Sequence, residues 1–211
     1  VLRGGIGNGV VQVFALATTL ALTVLLARAL GVNDYGVYAY VAAVLNVLLV
    51  VSELGVPSLL MREVAASHGA ANWRLLRGAL TRGLQTVALV SAFLASVGLG
   101  VVAVFRGALG ETAFWTATAM FAALPLATLA KTVAHAVRGL HSVIWAQAAE
   151  VLLRPLFVLI IGAALVAVSP GLLDPATAMA AQALAAALVL GIAGSRLMRV
   201  LPFPVRDAPA F

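Results

Sequence analysis

Val10-Val11-Gln12-Val13-Phe14-Ala15-Leu16-Ala17-Thr18-Thr19-Leu20-Ala21-Leu22-Thr23-Val24-Leu25-Leu26-Ala27-Arg28-Ala29-Leu30 decides the fold, because one charge, Arg28, interrupts an otherwise apolar run. A helix rises about 1.5 Å per residue, so roughly 20 such residues cross the ~30 Å hydrocarbon core of a bilayer. A secretory signal would be shorter and would end at a small-residue cleavage site. This run passes into Gly31 without one and reads as a first membrane helix. Five more runs of the same kind follow, which gives helices at about 10–30, 36–53, 83–105, 113–130, 144–168 and 176–198. The expected fold class is therefore all-α: a polytopic membrane protein whose residues 1–211 form a single six-helix membrane domain.

Composition leaves little room for a soluble alternative. Apolar residues make up 64% of the chain and charged residues 9%, with a mean hydropathy of +1.12. That is more apolar surface than a soluble domain of this size buries. The net charge of +6 would suit nucleic acid if the cations were clustered. They are distributed by loop instead. With a cytoplasmic N-terminus, Arg3, Arg62, Arg74, Arg77, Arg82, Lys131, Arg138, Arg154, Arg196, Arg199 and Arg206 fall inside, and only Arg28 and Arg106 fall outside. This positive-inside bias predicts cytoplasmic N- and C-termini and accounts for the basic charge without a nucleic-acid partner. The partner it does imply is the lipid bilayer.

Between the second and third helices, Gly55-Val56-Pro57-Ser58 reads as a break, with a helix resuming from Leu59 to Ala66. After Gly69, the stretch Trp73 to Leu80 reads either as an interfacial amphipathic segment, with Trp73, Leu76 and Leu80 toward the acyl boundary, or as a connecting loop with snorkelling arginines. Asp174 and Pro175 suit the cap and first turn of the sixth helix. In that helix Ala183, Ala187, Gly191 and Ser195 recur every four residues and read as a close-packing face.

Ionisable groups inside membrane segments are costly and are the natural functional candidates. Lys131, His135 and Arg138, spaced by four and three, form one stripe on the inner extension of the fourth helix, suited to a pyrophosphate or to interfacial anchoring. Glu53, with Asn46 seven residues before it, could line an aqueous cavity and couple to an ion, or could pair at the helix end with Arg62 or with backbone N–H groups freed by the break. Glu150 and Arg154 have the favourable spacing for an i, i+4 ion pair, and Pro155 should weaken the backbone ladder near Val151. Gln12, Thr19 and Thr23 form a polar face on the first helix, which ends in Arg28; that arginine reads as an outer headgroup anchor or a contact for an anionic substrate. No phosphate-binding loop, metal-ligand cluster, nucleophile elbow or poised carboxylate pair occurs, and cysteine is absent. The reading is of a protein that is not an enzyme and needs no cofactor or metal.

Two stretches carry a family resemblance. Ala27-Arg28-Ala29-Leu30-Gly31-Val32-Asn33-Asp34-Tyr35-Gly36-Val37-Tyr38, continued by Glu53-Leu54-Gly55 and Leu60-Met61-Arg62-Glu63, resembles the segment joining the first two helices of bacterial polysaccharide flippases. Arg138-Gly139-Leu140-His141, leading to Glu150-Val151-Leu152-Leu153-Arg154-Pro155, is similar to that family's fourth-to-fifth helix region. The family belongs to the multidrug, oligosaccharidyl-lipid and polysaccharide exporters, which have two six-helix lobes around a central cavity. The resemblance implies the N-terminal lobe of such a protein, in a bacterial cytoplasmic (inner) membrane, flipping a lipid-linked oligosaccharide in polysaccharide biosynthesis. Its other partner would be a C-terminal lobe or a second copy. The chain opens at Val1 rather than methionine, and Leu201-Pro202-Phe203-Pro204 reads as the start of an interlobe connection, so a longer protein is expected. A cation-coupled multidrug antiporter relying on Glu53, or a membrane scaffold without transport activity, are the competing readings.

Overall fold

The computed structural model describes residues 2–140 and 143–201, and these are all-helical. His141, residues 202–204 of the expected interlobe connection and Arg206 lie outside the described residues. The elements in chain order are α1 (Leu2–Glu53), α2 (Val56–Gly69), α3 (Trp73–Val104), α4 (Arg106–Leu109), α5 (Glu111–Gly139), α6 (Val143–Gln147), a π-helical segment (Ala148–Leu153), α7 (Arg154–Val168), a 3₁₀ turn (Pro170–Leu172) and α8 (Pro175–Val200). Among the described residues, five helices are long and apolar enough to cross a membrane: Gly9–Glu53, Trp73–Val104, Glu111–Gly139, Trp145–Val168 and Pro175–Val200.

The expected helices at 10–30 and 36–53 both lie within α1. Their separation survives as a break at Gly31, whose φ of 76° and ψ of 178° are not helical and divide α1 into two arms. Only glycine adopts that backbone without strain. The second arm ends at Leu54 (φ 48°) and Gly55 (φ 73°), after which Pro57 lies in the first turn of α2.

Trp73 to Leu80 is neither a separate interfacial segment nor a loop. It forms the first turns of α3, capped by the Asn72 side chain, which accepts from Leu75 N at 3.2 Å. Leu76 and Leu80 are buried against Leu60 and Val64 of α2 and Val133 and Val137 of α5. Tertiary burial outcompetes the acyl boundary for these side chains. The separate amphipathic helix is α2, which buries Leu60 and Val64 and exposes Leu59, Arg62 and Glu63.

α5 is the centre of the bundle and packs on α1, α2, α3 and α8, most extensively on α8. Small side chains make this approach possible, including Ala123, Ala127, Ala130 and Ala134 on α5 and Ala181, Ala185, Ala186 and Ala193 on α8, all buried. The packing face expected on α8 was a different one. Ala183 and Ala187 are half-buried and Gly191 and Ser195 exposed, because the buried row is offset by two residues: Ala181, Ala185, Val189, Ala193 and Leu197. The expected start of α8 holds, as Asp174 Oδ1 accepts from Thr177 N at 2.6 Å and Thr177 Oγ1 accepts from Asp174 N at 2.9 Å. At the far end of α5, Gly139 meets α2 so closely that a Cβ would lie 2.7 Å from the Met61 carbonyl oxygen.

Candidate functional site

The stripe on α5 is real, and each member faces a partner supplied by another element or by α5 itself. α5 runs on to Gly139, past the span expected to end at 130, and carries Lys131, His135 and Arg138 on the helical extension expected there. Opposite Lys131 stands Glu53, the last helical residue of α1. Lys131 Nζ lies 2.9 Å from Glu53 Oε1 and donates to Oε2 at 3.0 Å. The carboxylate is 11% exposed and the ammonium 35%. Glu53 is thus committed to Lys131 rather than to Arg62, the partner expected along the sequence.

One helical turn further on, His135 Nδ1 lies 3.0 Å from the Lys131 carbonyl oxygen. A carbonyl only accepts, so Nδ1 carries the proton in this contact. The same nitrogen lies 3.9 Å from Glu150 Oε2, which accepts from Arg138 Nη2 at 3.2 Å. Glu150 therefore pairs with Arg138 and lies near His135 without a hydrogen bond to it.

The expected i, i+4 pair between Glu150 and Arg154 does not form. Pro155 has no N–H for the Val151 carbonyl and its ring crowds that oxygen. The backbone answers by widening to i→i+5 bonding over Ala148–Leu153. The wider turn takes Glu150 and Arg154 out of vertical register, and Glu150 is left facing α5. Arg154 lines a cavity of about 50 Å³ with Leu49, Lys131 and Glu150. Its Nε is shut off from solvent and has no hydrogen-bond partner.

Arg28 lies elsewhere. It is exposed and lines an apolar groove of about 830 Å³ between the first arm of α1 and α7, beside Leu20, Val24, Leu25, Leu159 and Val166. Arg28 and Arg154 line different cavities, with no lining residue in common. Arg28 does not extend the Gln12, Thr19 and Thr23 face, since five residues separate it from Thr23, a turn of roughly 140°. That face is less polar than it reads. Thr19 and Thr23 donate to the carbonyls of Ala15 and Thr19, at 2.8 and 2.9 Å. Hydroxyls satisfied in this way tolerate lipid. Asn46 likewise donates to the Ala42 carbonyl at 3.0 Å and is exposed, apart from buried Glu53.

A further polar contact had no signal in the sequence. Gln182 Nε2 of α8 donates to the Tyr38 hydroxyl of α1 at 2.9 Å, across 144 positions of sequence. No group of three or more His, Cys, Asp or Glu suited to a metal ion occurs among the described residues. Compared with known protein families, curated proteins and solved structures, the chain matches none.

Proposed function

We propose that this chain is one six-helix lobe of a bacterial inner-membrane flippase for lipid-linked oligosaccharides. The observation that carries the reading is the Arg28 groove. A cation exposed at the edge of a long apolar trough is complementary to a ligand with an anionic head and a hydrocarbon tail, which is the chemistry of a polyprenyl pyrophosphate. A drug-like cation would be repelled there.

The sixth span comes from dividing α1 at Gly31. Each arm, 9–30 and 32–53, exceeds the roughly 20 residues a bilayer requires, and a turn between them satisfies the positive-inside bias with both termini cytoplasmic. On this topology Arg28 stands at the outer end of the path and the α5 stripe at the inner end. Lys131 and Arg138 meet the pyrophosphate by exchanging the Glu53 and Glu150 carboxylates for it, so the stripe stays neutralised when no substrate is present. The antiporter alternative relies on Glu53, and the Lys131 pair leaves that carboxylate poorly placed to take a cation.

The test is flipping of a fluorescent polyprenyl-pyrophosphate oligosaccharide by the full-length gene product in proteoliposomes. Arg28→Ala and the Lys131→Ala/Arg138→Ala double variant should each lower the rate at least tenfold, with protein level and insertion unchanged. Lys131→Arg retains the charge and should be milder than Lys131→Ala. Wild-type flipping by both alanine variants would sink the proposal and leave these residues as interfacial anchors.

A further inference from the structure

The cavity beside Arg154 has an unbalanced charge. Two of its lining residues are charged and paired, Lys131 with Glu53 and Glu150 with Arg138. Arg154 is the third and has no carboxylate within ion-pair distance among the described residues. Other arginines with a buried Nε have compensation that Arg154 lacks: Arg138 donates to Glu150, and Arg196 lies 5.8 Å over the Trp145 ring. The remaining walls are Leu49, Ala127, Ala130, Ala149, Ala186 and Val189, all apolar. Arg154 is half-buried, but its Nε is shut off from solvent with neither an acceptor nor a counter-charge, which is penalised, and the guanidinium cannot shed its proton to escape.

We infer that this cavity binds a small monovalent anion, of the size of chloride, held by the Arg154 guanidinium. Among the groups that line the cavity, Glu150 already accepts from Arg138, whereas the Arg154 Nε–H has no acceptor. Glu150 is the carboxylate that borders the site and would repel an anion, but it is neutralised by Arg138. A volume of about 50 Å³ suits a monatomic ion with a water beside it and is too small for a phosphate ester. The occupant is therefore distinct from the pyrophosphate substrate proposed above, and the site does not depend on that reading. Alanines at 127, 130, 149 and 186 create the space, and the π-helical segment turns Glu150 away so that Arg154 is left for the ion.

Thermal unfolding of the purified full-length protein in chloride, bromide, gluconate and inorganic phosphate at matched ionic strength tests this. Tm should rise with the logarithm of chloride or bromide concentration, with gluconate and phosphate giving no such rise. Crystals grown in bromide should show an anomalous peak against Arg154. Arg154→Met should remove the halide dependence, whereas Arg106→Gln, far from the cavity, should keep it. Equal Tm in chloride and gluconate together with no bromide peak would mean a cavity that holds only water and would overturn the inference. So would a phosphate shift as large as that of chloride, which points to surface arginines. If Arg154→Met fails to fold, the halide series and bromide peak of the wild-type protein decide alone.

Discussion

Lys131 and Glu53 show how a single side chain can matter through the one it leaves behind. Replacing Lys131 by methionine strands a carboxylate that is 11% exposed. Stranding a fully buried partner costs about 3–5 kcal/mol; with Lys131 itself 35% exposed, we expect about 2 kcal/mol by denaturant unfolding in detergent micelles. Adding Glu53→Gln to Lys131→Met should recover most of that loss, and strict additivity of the two substitutions would disprove the coupling. The α5 stripe was legible in the sequence because spacings of four and three put residues on one face of any helix. Its partners were not. Glu53 lies 78 positions away from Lys131 and Glu150 lies 12 from Arg138, distances over which helical periodicity carries no information. Arg28 was legible as an anomalous charge, but not the groove it lines, since that groove needs α7.

Elements reveal a second limit of sequence reading, that of register. Apolar runs gave the helices, yet boundaries shifted wherever tertiary packing extended them, as in the first turns of α3. On α8 alanines occupy several faces, so a four-residue spacing could be drawn through more than one, and only packing on α5 selects the row through Ala185 and Ala193. Pro155 was read correctly as a disturbance, but not its form, because a proline can be met by a kink or by a π turn. Pro155→Ala should restore i→i+4 bonding and return Arg154 to register with Glu150. A double-mutant cycle between these two residues should then show a coupling of about 0.5 kcal/mol, and none in the wild-type protein. At Gly31 a valine must adopt φ near 76° or rebuild the break. Gly31→Val should therefore cost about 1–3 kcal/mol, and an unchanged thermal midpoint would show that the break is not held by this residue.

At the scale of the whole molecule the open quantity is orientation. The chain has no cysteine, so a single introduced thiol reports alone. Arg74 lies in the first turn of α3 and Ala108 just past its end, separated by a helix of 32 residues or roughly 48 Å. Arg74→Cys should react with an impermeant maleimide only from the cytoplasmic side and Ala108→Cys only from outside. Labelling of both from one side would refute a spanning α3. The central position of α5 also has a consequence for biosynthesis. As the chain leaves the ribosome, Glu53 is already in place when Lys131 emerges, and Glu150 follows Arg138 after only twelve residues, so neither cation waits long for its carboxylate. The alanine face of α5 waits far longer, because its most extensive partner, α8, is the last of the described helices to be made. The nascent bundle therefore stays open along that seam until α8 is inserted, and a ribosome stalled before residue 175 would hold a membrane intermediate with paired charges and an unzipped core.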